Sequence, residues 1–196
     1  MNKKKFYEKP FVFLDVETTG LDPDQHEVIQ IAILREDTKE FWTTRIKPSH
    51  IETASLKALE INGYKDNPHL WDDAPCFDEV AFTIRKKLSN SIVVGHNIQF
   101  DLSFLKSQML PLGEWVGIGH HHFDTISLAI EHLSFSKISS VSLKNVCKLL
   151  GISTENHHDA KADVEMTQKV FRKLIRATCL HRMWWRIKRP FIFKKR

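Results

Sequence analysis

Ten residues, Phe11 to Gly20 with the sequence FVFLDVETTG, constrain the fold of this chain more than any other stretch. Side chains alternate along an extended strand, so Phe11, Phe13, Asp15 and Glu17 share one face, while Val12, Leu14 and Val16 share the other. Both faces begin apolar, which predicts a central strand packed on each side. One face then ends in two carboxylates, two residues apart, just before a threonine-glycine turn. Two acids at the end of a buried strand cost stability through mutual repulsion and lost hydration, and a bound divalent cation removes that cost. A solvated strand end with ordinary surface acids is the alternative. The four fixed types of D-x-E-T-x-G reduce coincidence to on the order of one in a thousand for a chain of this size.

The rest of the chain supplies the other layers of an α/β fold. Residues 27–35 (EVIQIAILR) and 38–47 (TKEFWTTRIK) read as further strands, separated by short polar turns, so an antiparallel meander is expected, ending at Pro48. Residues 52–60 suit a short helix closed by Ile61, Asn62 and Gly63. Phe77, Val80, Ala81, Ile84 and Leu88 fall at helical spacing, with Arg85, Lys86 and Lys87 mostly on the outer side, as in a packing helix. Residues 91–95 (SIVVG) form a short buried strand. A strand around 117–124 and a helix over 125–132 follow. Leu143, Val146, Cys147 and Leu150 define another helix stopped by Gly151, which makes Cys147 a core residue rather than a nucleophile. The last helix starts near Ala160 and runs into the 170s.

Two more carboxylates sit where a charge is unusual. Asp101 lies in the first turn of a helix built on Ile98, Leu102, Leu105 and Met109, and points toward its apolar side. Asp163 lies on the apolar side of the last helix, near its opening, where the helix dipole favours an anion. Asp15, Glu17, Asp101 and Asp163 together form an oxygen-only, strongly negative donor set. Such a set suits Mg²⁺ or Mn²⁺ and not zinc, and is expected to hold two ions roughly 3.5–4 Å apart. The triplet His120, His121, His122 invites a zinc reading, but consecutive strand residues point opposite ways, so a polar strand-end cluster is the default there. His158 can converge with Asp163 only from a loop before the helix, because five residues span about 140 degrees on a continuous helix. His157 is the fallback.

Three motifs, in order, resemble the DnaQ-like (DEDDh) 3′-5′ exonucleases, which include polymerase proofreading subunits and ribonuclease T. They are DVETTG (15–20), GHNIQFD (95–101) and HDAKAD (158–163), and SLKNVCKLLGI (142–152) is similar to the helix that precedes the third. The spacing of the last motif selects His158 over His157. The resemblance covers about residues 10–175 and implies a ribonuclease H-like fold: a mixed central sheet, its first three strands antiparallel, flanked by helices. It implies Asp15, Glu17, Asp101 and Asp163 as metal ligands and His158 as general base. It also implies Thr18, Thr19, Gly20 and Leu21 as the seat of a terminal nucleotide, with Leu21 as a wedge, and Asn97 and Phe100 as cleft residues. Simple packing is the other reading of Phe100. Asn62 sits where the family often places a substrate-contacting polar residue. The implied reaction is two-metal-ion hydrolysis releasing nucleoside 5′-monophosphates from DNA or RNA 3′ ends, most readily single-stranded ones. A non-catalytic nucleic-acid-binding module and an endonuclease of the same fold are the competing readings.

Charge adds a partner class. The 196 residues carry a net charge of +5, and seven Lys/Arg with no acid fall within residues 177–196, so the remainder is close to −2. The chain is therefore expected to divide into a body, 1–176, which the resemblance implies is an exonuclease domain, and a basic, aromatic tail, 177–196. The tail suits a polyanion, with Trp184, Trp185, Phe191 and Phe193 available to stack. An anionic membrane surface or packing on the body are the alternatives. No run is apolar and long enough to span a bilayer, the basic amino terminus lacks the apolar stretch of a signal peptide, and three unpaired-looking cysteines suit a cytoplasmic protein. A polymerase complex and a homodimer are the candidate protein assemblies.

Overall fold

In the computed structural model, residues 8–118, 121–133, 140–154 and 160–177 are described. Residues 178–196 of the tail, His157 and His158 lie outside them. Five strands form one sheet in the order β3-β2-β1-β4-β5: β1 (Phe11–Thr18), β2 (Val28–Arg35), β3 (Phe41–Arg45), β4 (Ile92–Gly95) and β5 (His122–Asp124). β1 is central, as its doubly apolar start requires. β1, β2 and β3 are antiparallel neighbours, whereas β4 runs parallel to β1 and β5 parallel to β4. The sheet is therefore mixed, as expected.

The helices are α1 (Leu56–Ile61), α2 (Phe77–Leu88), α3 (Ile98–Met109), α4 (Thr125–Leu133), α5 (Leu143–Leu150) and α6 (Ala160–Ile175). Val12, Leu14 and Val16 pack with Val80, Ile84 and Leu88 of α2 and with Leu102 and Leu105 of α3. Phe13, on the other face, packs with Ala160, Val164 and Phe171 of α6. The Phe171 ring meets Phe11, Phe13 and Phe123 at centroid distances of 4.9, 5.6 and 5.7 Å, which fixes α6 against β1 and β5. α4, α5 and α6 share a second core around Val146, Cys147 and Val170.

Several boundaries differ from the sequence reading, each for a local reason. The helix expected over 52–60 is split into a 3₁₀ turn, Ile51–Thr53, and α1. The Ser55 N–H donates to the Thr19 carbonyl at 2.8 Å, so the chain is tied down there and α1 begins one residue later. The third strand is only Phe41–Arg45, because Lys39 takes a left-handed φ of 56° in the preceding turn. Of the strand expected around 117–124, the described residues show His122–Asp124, with Ile118 making an isolated bridge to Ser89; residues 119 and 120 lie outside them. No helix among the described residues is long and apolar enough to cross a membrane.

Candidate active site

β1 delivers Asp15 and Glu17 to the sheet face that carries α6. The β1–β2 register slips between Glu17 and Thr18, a bulge that ends regular pairing just where the acids stand. α6, anchored by Phe171 two turns further on, brings Asp163 to the same place. Carboxylate oxygens of Asp15, Glu17 and Asp163 lie within 4.8 Å of one another. Asp163 is buried, at 6% exposure, and the other two are half-buried. Three hard oxygen donors at this separation, partly shielded from water, are the donor chemistry a Mg²⁺ or Mn²⁺ ion needs.

Asp101 adjoins this group by a different route. α3 packs on the opposite face of the sheet, so Asp101 reaches β1 at its edge, where Oδ1 accepts the Val16 N–H at 2.9 Å. β4 pairs only with Phe11 to Phe13 and then ends at Gly95, which leaves that N–H without a strand neighbour on this side. Asp101 is 4% exposed. Burial pushes its carboxyl up to about 8, against the lowering effect of the Val16 N–H and its own N–H, and the Asp124 charge adds to the rise. The sequence placed four carboxylates together; the structure gathers three and binds the fourth to the backbone between two of them.

The Thr18–Leu21 turn is held from within. Thr18 Oγ1 donates to the Gly20 carbonyl at 2.6 Å, and the Glu27 N–H donates to Thr19 Oγ1 at 2.8 Å. Both threonines are buried, while Leu21 is 82% exposed beside them. Asn62 Nδ2 donates to the Thr18 carbonyl at 3.0 Å and its Oδ1 accepts from the Tyr64 N–H at 3.1 Å, so its amide braces the turn. Asn97 opens α3 in a left-handed conformation, and its N–H donates to Asp124 Oδ1 at 3.1 Å. Phe100 is half-buried with its ring 4.8 Å from that of Phe104, which meets the packing reading. His122 contacts Gln99, and neither His121 nor His122 belongs to a group that could hold a metal among the described residues; His120 lies outside them.

Some residues of this region escaped the sequence reading. Asp124 accepts from the N–H groups of Asn97 and Ile126, joining the second motif to the start of α4. His96 links Thr125 Oγ1 at 2.8 Å and the Val141 carbonyl at 2.7 Å, tying the end of β4 to the segment that leads into α5. His26 lies against Gly20. Asp124 and Thr125 sit at a strand-to-helix junction, a recognisable capping signal; His26 has no local signal at all.

The sequence model of the exonuclease family, RNase T type, matches residues 12–171. The PolC-type DNA polymerase III of Thermotoga petrophila is 33% identical over 175 residues, which is 87% of this chain and 12% of that protein. The chain thus spans about an eighth of the length of the PolC-type relatives. The DNA polymerase III subunit epsilon of Aquifex aeolicus is 25% identical over 168 residues, 84% of this chain and 80% of the relative. Among solved structures, E. coli exonuclease I in complex with a dT13 oligonucleotide superposes with a TM-score of 0.68 at 21% identity, covering 90% of this chain and 42% of that one. The exonuclease I from Methylocaldum szegediense gives 0.68 at 24% identity, covering 86% and 40%. These likenesses show the ribonuclease H-like fold. On its matched residues, the chain belongs to the exonuclease family.

Proposed function

We propose that this protein is a divalent-metal-dependent 3′-5′ exonuclease that releases nucleoside 5′-monophosphates from single-stranded 3′ ends. The observation that carries the proposal is the convergence of Asp15, Glu17 and Asp163 within 4.8 Å beside an exposed Leu21. With Asp101 they would hold two Mg²⁺ or Mn²⁺ ions, which when bound lower the pKa of the attacking water and stabilise charge on the leaving 3′ oxygen. His158 takes the proton of that water, as the third motif implies. The Thr18–Leu21 turn seats the terminal nucleotide, Leu21 meets its base, and Asn62 keeps the turn in place. Hydrolysis breaks the bond between phosphorus and the 3′ oxygen of the penultimate nucleotide. The phosphate leaves with the terminal nucleotide and a new 3′ hydroxyl remains.

DNA is the favoured substrate class, because relatives are DNA polymerase III proteins and a structural neighbour carries dT13. The similarity to a polymerase III subunit favours a partner in a polymerase assembly. The test is a 3′-labelled single-stranded DNA oligomer with Mg²⁺, with the matching RNA alongside. Label leaves as mononucleotide, and His158→Ala slows release by about 10² or more. No release with either Mg²⁺ or Mn²⁺ rejects the proposal.

A further inference from the structure

One imidazole at the turn has no place in the chemistry above. His26 precedes β2, is half-buried, and lies so close to Gly20 that a Cβ built there would strike its Cδ2, Nε2 and Cγ atoms. The Nε2 edge of the ring therefore lies over the turn proposed to seat the terminal nucleotide. Nδ1 stands 3.2 Å from the Asp22 nitrogen and 3.1 Å from the Asp22 oxygen. That oxygen already accepts the N–H groups of Gln25 and His26 at 3.1 and 2.9 Å. The Asp22 N–H has no other acceptor among the described residues. Nδ1 is thus assigned as its acceptor, which in the neutral ring puts the proton on Nε2. Nε2–H is then a donor with no acceptor among the described residues, set against Gly20 on a loop that Asp22 closes through Asp24 and Gln25.

We propose that His26 is a substrate-binding residue whose Nε2–H donates to an oxygen of the 3′-terminal nucleotide seated on the Thr18–Leu21 turn. The inference rests on the 3′-end reading of the site. It assigns His26 two tasks: filling the space that Gly20 leaves open, and presenting a fixed donor there.

Binding without turnover separates this inference from the hydrolytic reading. Fluorescence anisotropy in EDTA measures the affinity of the full chain for a 5′-labelled oligo-dT with a free 3′ hydroxyl. A circular single strand of the same composition is the control. His26→Phe keeps a ring against Gly20 and removes the donor, whereas His26→Gln restores a donor. A hydrogen bond to a charged or polar oxygen predicts about tenfold weaker binding of the linear strand by His26→Phe, recovery by His26→Gln to within about threefold of wild type, and no change for the circular strand. Equal affinity of His26→Phe and wild type overturns the proposal, as does an equal loss on the circular strand. Equal losses in both variants with a lowered melting temperature assign the ring to packing alone and also overturn it. If wild type binds the linear strand in this pattern but releases no mononucleotide with Mg²⁺, hydrolysis is rejected and the contact stands; no binding of the linear strand overturns both.

Discussion

Asp101 Oδ1 accepts the backbone N–H of Val16 at 2.9 Å, so the residue that separates Asp15 from Glu17 is fixed by a carboxyl arriving from α3. The bond joins the strand carrying two acids to the helix that follows β4. It also places a buried carboxyl where only a bound cation would make its ionisation easy.

That burial gives the chelated protein a pH signature. Asp101 is raised from its ordinary value of 3.8 to about 8, so the folded chain binds this proton more tightly than the unfolded chain. The resulting stabilisation is complete below the unfolded value and is lost as pH rises through the folded one. In EDTA, Asp101→Asn should gain stability relative to wild type between about pH 4 and 8, by roughly 5 °C in melting temperature at the upper end. Thermal scans of the two proteins across that window check it, and a difference independent of pH contradicts it.

Asp163→Ala separates metal binding from folding. Removing one of three adjacent acids relieves their repulsion, so the variant should melt within about 3 °C of wild type in EDTA. Ligand linkage stabilises wild type by about 2.7 kcal/mol when Mg²⁺ is present at a hundred times its dissociation constant, and the variant should lose most of this together with its activity. Differential scanning calorimetry with and without Mg²⁺ reads both.

Gly20 is required by the ring beside it. A methyl at that position meets His26, so Gly20→Ala should cost about 1–3 kcal/mol unless the turn shifts. Removing the obstacle should recover much of the loss: in a double-mutant cycle with His26→Ala, the coupling should be about 1 kcal/mol or more. Denaturant melts of the four proteins measure it.

The cysteines should differ sharply in reactivity. Cys76 is exposed, whereas Cys147 is buried, and burial with the neighbouring Asp163 charge pushes its thiol up to about 12. Alkylation of the native protein at pH 8 followed by peptide mapping should label Cys76 and leave Cys147 untouched until the chain unfolds.

The legible parts of this fold were those written in local periodicity. Alternation along Phe11 to Glu17 showed a central strand with both acids on one face, and helical spacing placed Asp101 and Asp163 on buried sides of their helices. What could not be read was how separate elements meet. The Ser55 N–H captured by Thr19 shortened a helix, and no pattern within residues 52–60 announces a partner 36 positions away. Asp101 was recognised as an unusual charge, but its bond to Val16 depends on where β4 stops. The roles of His96 and His26 are not written in local sequence, because they arise from contacts with Thr125 and Gly20.

We propose that the acids of β1, α3 and α6 share a pair of hard cations. Titration of the wild-type protein with Mn²⁺ in the presence of a nucleoside 5′-monophosphate, read by electron paramagnetic resonance, counts bound ions directly. Two ions per chain, with the tighter one lost in Asp163→Ala, is the predicted result. Failure of wild type to bind Mn²⁺, or binding that survives Asp163→Ala unchanged, would contradict it.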